Sequence, residues 1–396
     1  MNTYEHLFTP IKIGNTTVKN RIFMPPLSTN LADKGYVTDA LVKHYAARAK
    51  GGVGLIVTEV TTVEPTYTYL PGDMSIYDDS YIPGWKKLVD AVHQYDTKIL
   101  SQLFHPAYMA FPIPGTPQLI APSNVGPYYA KSAPREVTKE ELKVIVKQFG
   151  EAALRFKKAG GDGVEIQAAH AHGLLGGFLT PLYNKRTDEY GGTLENRMRF
   201  TLECIEAIKK NVPDTMPVLV KFTPHQRVEG FRTIDEGIEM AKILEEAGVD
   251  ALHVDTGCYE EWFQAITTVY SKEGYKLDVQ KAIKDIVSVP VLGDGNLKDP
   301  EVAKKAVEDG ILDYVGLAHQ MLADPYWPKK VKAHHEEDIA PCVGCNECLL
   351  AGFSGKHYYC AVNPLCYAEK AYALPLPNGQ KRKVLVIGGG PAGMMA

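Results

Sequence analysis

Residues 138–167, TKEELKVIVKQFGEAALRFKKAGGDGVEIQ, place a helix and a strand end to end. Thr138 as a cap with Glu141 three positions later, apolar residues at i, i+3 and i+4 spacing, and a stop at Gly160 and Gly161 predict an amphipathic helix. The run DGVEIQ at 162–167 reads as the short buried strand that follows it. Outward from there the same alternation predicts strands at 21–26, 53–59, 98–104, 217–222, 251–255, 289–295 and 313–318, with helical patterns between most of them. Eight such units over residues 1–335 fit an α/β fold of the (β/α)8 TIM barrel type better than an open doubly wound sheet. In a barrel the chemistry sits where strands end, so the residues just after each run are the functional candidates.

The 396 residues, 45% hydrophobic with a formal net charge of -4, suffice for one large core and a smaller appendage. No Lys/Arg run supplies the electrostatic footprint of a nucleic-acid or acidic-membrane binder. No apolar segment approaches the roughly 20 residues of a membrane span, and the N-terminus MNTYEHLFTPIKIGN lacks the pattern of a signal peptide. A cytoplasmic protein is expected, and association of identical copies is compatible with the sequence.

Past residue 335 the alternation stops. Of seven cysteines, Cys204 and Cys258 stand alone, while Cys342, Cys345, Cys348, Cys360 and Cys366 crowd into residues 336–370. Clustered thiols in a reducing compartment suit metal ligation. Four thiolates serve either a tetrahedral zinc or a 4Fe–4S cluster. Three close cysteines with a distant fourth before a proline resemble cluster ligation more than the paired knuckles of a zinc site. Cys342, Cys345, Cys348 and Cys360 are the candidate ligands, with Cys366 in reserve. A linker at 371–382 then leads to VLVIGGGPAG, where a strand is expected to run into Gly388, Gly390 and Gly393. This is the glycine pattern of a dinucleotide-binding turn. The acidic residue expected about 20 positions on has no place in 383–396, so the chain reads as the front part of a longer protein.

In this order, LFTPIKIGNTTVKNRIFMPPLSTN, SQLFH, NKRTDEYGGTLENRMRF, LADPYWPKK and the Cys segment resemble the Old Yellow Enzyme family. The likeness is closest to its multidomain branch of 2,4-dienoyl-CoA reductases, 2-enoate reductases and bile-acid ene-reductases. It implies a barrel holding FMN, a 4Fe–4S cluster, and an FAD domain fed by NAD(P)H. Carried over by position, Pro26, Leu27 and Ser28 lie against the flavin, Val60 beside its ring, and Gln102 at its pyrimidine edge. Lys221 falls near N1, where a fixed cation stabilises the negative charge of the reduced flavin. Gly295 and Asn296, with Ala318 and His319, fall where the phosphate binds. The family commonly has Gly-Arg at the second site, so the Arg charge is missing here, and a protonated His319 is one replacement. Tyr259 and Trp262 are placed either as a wall over the flavin face or as core.

After strand four, VEIQAAHAHGLLGGF departs from the family pattern. Relatives carry a His/His or His/Asn pair three residues apart that hydrogen-bonds the substrate carbonyl, then a Tyr that protonates the α-carbon. By alignment the pair becomes Gln167 and His170, and the Tyr position becomes Gly173 beside His172. His172 is the nearest candidate acid, with solvent or a Tyr from another loop as alternatives; a His-x-His metal site lacks a carboxylate partner. The resemblance therefore implies a flavoenzyme reducing a C=C bond conjugated to a carbonyl or carboxylate. Oxidative amine demethylation is the alternative within the family. A non-redox phosphate-binding barrel lyase or isomerase with structural zinc is the alternative outside it.

Overall fold

The computed structural model describes residues 4–111, 115–127, 132–213, 216–369, 383–390 and 393–394. In the segment quoted above, the Thr138 side chain accepts from the Glu141 N–H and the Glu141 carboxylate accepts from the Thr138 N–H, closing the capping box at the start of a helix. Leu142, Ile145, Phe149 and Phe156 of that helix are buried. Large apolar side chains of this kind each contribute roughly 1.5–3 kcal/mol on burial.

The eight barrel strands are β1 (Ile22–Met24), β2 (Leu55–Thr62), β3 (Lys98–Phe104), β4 (Gly163–Ala168), β5 (Val218–His225), β6 (Ala251–Thr256), β7 (Val291–Gly293) and β8 (Tyr314–Gly316). Each pairs in parallel with the next, and β8 pairs with β1 to close the barrel. Its outer ring is α1 (Asp39–Lys50), α2 (Ile82–His93), α3 (Lys139–Lys158), α4 (Leu194–Asn211), α5 (Ile234–Glu246), α6 (Leu277–Lys284), α7 (Pro300–Glu308) and α8 (Trp327–Lys332). The (β/α)8 expectation holds. Two strands run three residues past their expected ends, to Thr62 and His225, with register shifts between Val57 and Val60 and between Phe222 and His225 that let the chain bend at the mouth and stay paired.

Side chains alternate across the barrel wall. Phe23, Leu55, Leu100, Leu219, Leu292 and Tyr314 point inward and make a lower layer, and a hairpin of Ile11–Ile13 with Thr16–Val18 closes the floor with Ile13 and Val18. Their neighbours Ile22, Ile56, Ile99, Ile166 and Leu252 belong to the cluster that packs against the helices. One step further along the strands the inward positions turn polar: Gln102, Glu165, Lys221, His253 and Asp255 are all buried. Buried charge of that density needs partners, and it lies at the end of the barrel where the strands finish.

The Cys-rich segment docks on this same end. Tyr358 N–H donates to Thr29 O at 3.2 Å. Asn30 Nδ2 donates to Gly352 O and Lys356 O at 3.0 and 2.9 Å. Cys366 and Tyr367 pack with Leu322 and Leu27. The linker 371–382 lies outside the described residues. The strand expected at 384–387 pairs with no described strand, and Val384, Leu385 and Ile387 are 77%, 83% and 89% exposed. An unpaired strand has no ladder to hold it. No described helix is long and apolar enough to cross a membrane.

Candidate functional site

The polar layer opens into a cavity of about 410 Å³ at the C-terminal ends of the strands. It brings together Pro26, Leu27 and Ser28 after β1, Val60 of β2, Gln102 of β3, Gln167 of β4, His170 and His172 after β4, and Lys221 of β5. Tyr259 after β6, Gly295 and Asn296 after β7, and Ala318 and His319 after β8 complete the set taken from the sequence. Trp262 is left out of the lining. It stacks on Tyr259 at 4.3 Å and 5° and buttresses the wall from behind. Gly388, Gly390 and Gly393 take no part in the cavity.

Electrostatics at its base centre on Asp255, which the sequence reading did not single out. Its carboxylate accepts from Lys221 Nζ at 2.9 Å, from His170 Nε2 at 3.1 Å and from Lys276 Nζ. Lys276 also reaches Asp294 Oδ1 at 2.8 Å. Burial opposes the charge on Asp255, yet the two lysines and His170 outweigh it and hold the carboxyl well below its usual range. Burial likewise opposes both ammonium charges, and Asp255 and Asp294 outweigh it and raise them. All four groups thus stay ionised. Lys276 escaped notice because it lies in the loop before α6, where no periodicity marks a functional position. Deeper, Gln102 Nε2 donates to Glu165 Oε1 at 2.7 Å, and Glu165 Oε2 meets His253 Nδ1 at 2.9 Å, which fixes the Gln102 amide.

The two histidines are held differently. His170 sits at φ +61°, with its N–H bonded to Thr223 Oγ1 at 2.9 Å. Its ring nitrogens face Asp255 Oδ2 and, at 3.2 Å, Gly257 O. Both are occupied. His172 is gripped by rings alone: Phe104 stacks on it at 5.0 Å and 15°, and Tyr69 and Tyr259 meet it edge-on, each at 4.9 Å. Among the described residues neither of its nitrogens has a hydrogen-bond partner, and both are enclosed. Burial, then the charges of His170 and Lys221, push its pKa down to about 3, so the ring is neutral near pH 7. Gly173 has a steric reason, since a Cβ there would sit 2.3 Å from the Phe104 ring and 2.8 Å from His105 O, at φ +67°. The Phe104 ring and the His105 carbonyl occupy the space where the expected Tyr would start. Tyr69 and Tyr259 are the phenols that reach the cavity beside them.

At the expected phosphate end, Gly295 adopts φ +121°, and a Cβ there would meet Lys276 Cγ at 2.8 Å. Burial by the protein alone pushes His319 down to about 4. Lys298 lines the cavity and donates to Cys342 O at 2.9 Å, placing a cation there that sequence reasoning missed.

Cys342, Cys345, Cys348 and Cys360 surround a second, small cavity, whereas Cys366 lies outside it with Arg48 Nη2 3.8 Å from its sulfur. Among the described residues no three of these sulfurs lie within 4.8 Å of one another. Four thiols around one cavity are a donor set that suits either a tetrahedral zinc or a 4Fe–4S cluster. Cys342 and Val343 line both cavities and form a shared wall.

Residues 6–338 match the family described as NADH:flavin oxidoreductase / NADH oxidase. The chain is 39% identical over its whole length to an NADH oxidase of Thermoanaerobacter brockii, covering 61% of that protein. To a cinnamate reductase of Clostridium sporogenes it is 37% identical over 99% of the chain and 62% of the relative. Among solved structures, a 2-naphthoyl-CoA reductase in complex with 2-naphthoyl-CoA superposes with a TM-score of 0.93 at 34% identity, over 99% of this chain and 62% of that one. The chain thus spans about three fifths of the length of these proteins.

Proposed function

We propose that the chain, which belongs to the NADH:flavin oxidoreductase / NADH oxidase family, is an oxidoreductase of the family's Old Yellow Enzyme-like, ene-reductase branch and reduces a C=C bond conjugated to a carbonyl or carboxylate. The observation that carries this reading is the cavity itself, where Lys221 and Lys276, held by Asp255, stand with the amides of Gln102 and Gln167 and the imidazole of His170, beside a wall shared with the cysteine cavity.

FMN, when bound, accepts a hydride and delivers it to an electron-poor carbon. In this reading Pro26, Leu27, Ser28 and Val60 pack against its ring, and Gln102 addresses the pyrimidine edge. Lys221, locked by Asp255, stabilises the negative charge of the reduced form. Gly295, Asn296, Ala318 and His319 surround the phosphate with backbone N–H groups, and Lys298 offers the nearby charge. Gln167, His170 and His172 form the substrate end, and Tyr259 covers it. Cys342, Cys345, Cys348 and Cys360 would hold a 4Fe–4S cluster that relays single electrons, and Gly388, Gly390 and Gly393 would form a dinucleotide-binding turn for FAD or NAD(P)H. The names of the relatives, cinnamate and 2-naphthoyl-CoA reductase, support a planar unsaturated acid or its thioester. The test is anaerobic reduction of the purified protein by dithionite, then mixing with cinnamate or cinnamoyl-CoA, with dimethylglycine given in parallel to the oxidised protein, where flavin bleaching would favour the demethylase alternative. Reoxidation by either unsaturated compound with a saturated product supports the reading; colourless protein with bound zinc overturns it.

A further inference from the structure

Resting on the ene-reductase reading above, we infer that Tyr259 is the acid that gives a proton to the substrate α-carbon once hydride has reached the β-carbon, the task that Gly173 leaves open.

Three phenols line the cavity, those of Tyr69, Tyr259 and Tyr358. A proton donor among them needs a hydroxyl that a ligand can reach and surroundings that tolerate the phenolate left behind. Tyr259 meets both conditions. Its ring lies parallel to Trp262 at 4.3 Å and 5° and to His170 at 5.2 Å and 16°, so its orientation is fixed without use of the hydroxyl. Phe353 of the Cys segment meets Trp262 edge-on at 5.0 Å and braces the stack. Among the described residues the Tyr259 hydroxyl has no hydrogen-bond partner, and unlike the His172 nitrogens it is not enclosed.

Surrounding charge separates the three phenols. Burial raises Tyr259 to about 12, and while Asp255 adds to that, Lys221 and Lys276 oppose it and favour the anion. Burial, then Asp73 and Glu59 among its neighbours, push Tyr358 well above the usual phenol range, so a phenolate there would face acids rather than ammonium groups. Tyr69 packs into the apolar cluster of Val60, Leu70 and Phe104, where an anion finds little solvation. Hydride arriving at the β-carbon leaves an electron pair on the α-carbon, shared with the carbonyl oxygen. That pair forms the new C–H bond as the Tyr259 O–H bond breaks, and the phenolate regains its proton from solvent water. The titratable groups around Tyr259 are His170 and His172 after β4, Lys221 of β5, Asp255 of β6, Lys276 before α6 and Tyr358 of the Cys segment. With the phenol at about 12, the donor stays loaded across neutral pH.

The experiment isolates the proton transfer with a stable carbanion. The nitronate of phenylnitroethane, prepared in base, is mixed with the oxidised flavin-loaded protein, and its ultraviolet absorption is followed against a protein-free control. The same nitronate is then generated in the site from β-nitrostyrene and the reduced protein. Tyr259→Phe keeps the stacked ring and removes the O–H. The inference predicts that Tyr259→Phe protonates the nitronate about a hundredfold more slowly, while flavin affinity and flavin reoxidation by β-nitrostyrene stay within about threefold of wild type, so that nitronate accumulates. Tyr69→Phe and Tyr358→Phe have smaller effects on the protonation, and the wild-type rate is constant from about pH 7 to 9. Nitronate lost from Tyr259→Phe as fast as from wild type, a larger slowing in Tyr69→Phe or Tyr358→Phe, or a wild-type rate that falls through that window as an imidazole deprotonates overturns the inference. Failure of reduced wild type to reoxidise with β-nitrostyrene or any enoate, with the Tyr259-dependent protonation of added nitronate intact, overturns the reductase reading alone.

Discussion

Asp255 receives three donors at once, and removing any one of them redistributes the charge at the cavity base. Lys221→Met leaves Asp255 with Lys276 and His170, so the fold survives while the cation proposed for flavin N1 is gone. The flavin midpoint potential is expected to fall and its reduction to slow by roughly ten- to a hundredfold, read by dye-coupled titration and stopped flow; unchanged values would remove Lys221 from the site. Gly173→Ala forces a methyl group against Phe104 and His105 in left-handed backbone. It is expected to cost about 1–3 kcal/mol, and a thermal midpoint equal to wild type would contradict the packing described. At this scale the sequence was readable where a residue ends a strand, as at Gln102, Gln167 and Lys221. It was silent on Lys276, Tyr69 and Lys298, which reach the cavity from loops whose path no periodicity encodes. His172 was legible as a site residue but not in its protonation, because the three rings that bury it come from segments distant in sequence.

Whole elements show the same division. Alternating runs revealed the strands, but the bulges that carry β2 and β5 on to Thr62 and His225 left no mark in composition. The floor hairpin was also unmarked, since strands of three residues are too short to show a period. Ile13→Ala there is expected to destabilise the barrel by about 2–4 kcal/mol while flavin affinity stays within twofold, as denaturant unfolding and flavin titration would show. The Cys segment is tied to α1 through Glu369, which pairs with fully buried Arg48. Burial opposes the Glu369 charge, but His44 and Arg48 outweigh it and hold the carboxyl at about 2, below its usual 4.5. A depressed carboxyl stabilises the fold above its unfolded value and loses that contribution as pH falls. Docking of 358–369 should therefore be complete above about pH 5 and loosen as pH falls toward 2. Hydrogen exchange of that segment reads the change, and Glu369→Gln should loosen it already at neutral pH by leaving Arg48 uncompensated.

Across the whole molecule, the proposed flavin cavity and the cysteine cavity meet at a wall of His319, Cys342 and Val343. Iron analysis divides the cysteines: Cys345→Ala or Cys360→Ala should lose cluster iron, whereas Cys366→Ala should keep all of it, its sulfur lying outside the ring. The most direct test of the central claim is a single turnover. Protein reduced anaerobically with dithionite is mixed with cinnamate, or with cinnamoyl-CoA, while the flavin absorption and the product are followed. The account predicts that the flavin band returns with one saturated product formed per flavin. A flavin that stays reduced with every unsaturated acid, thioester and aldehyde, in protein that is reduced and loaded, would contradict it.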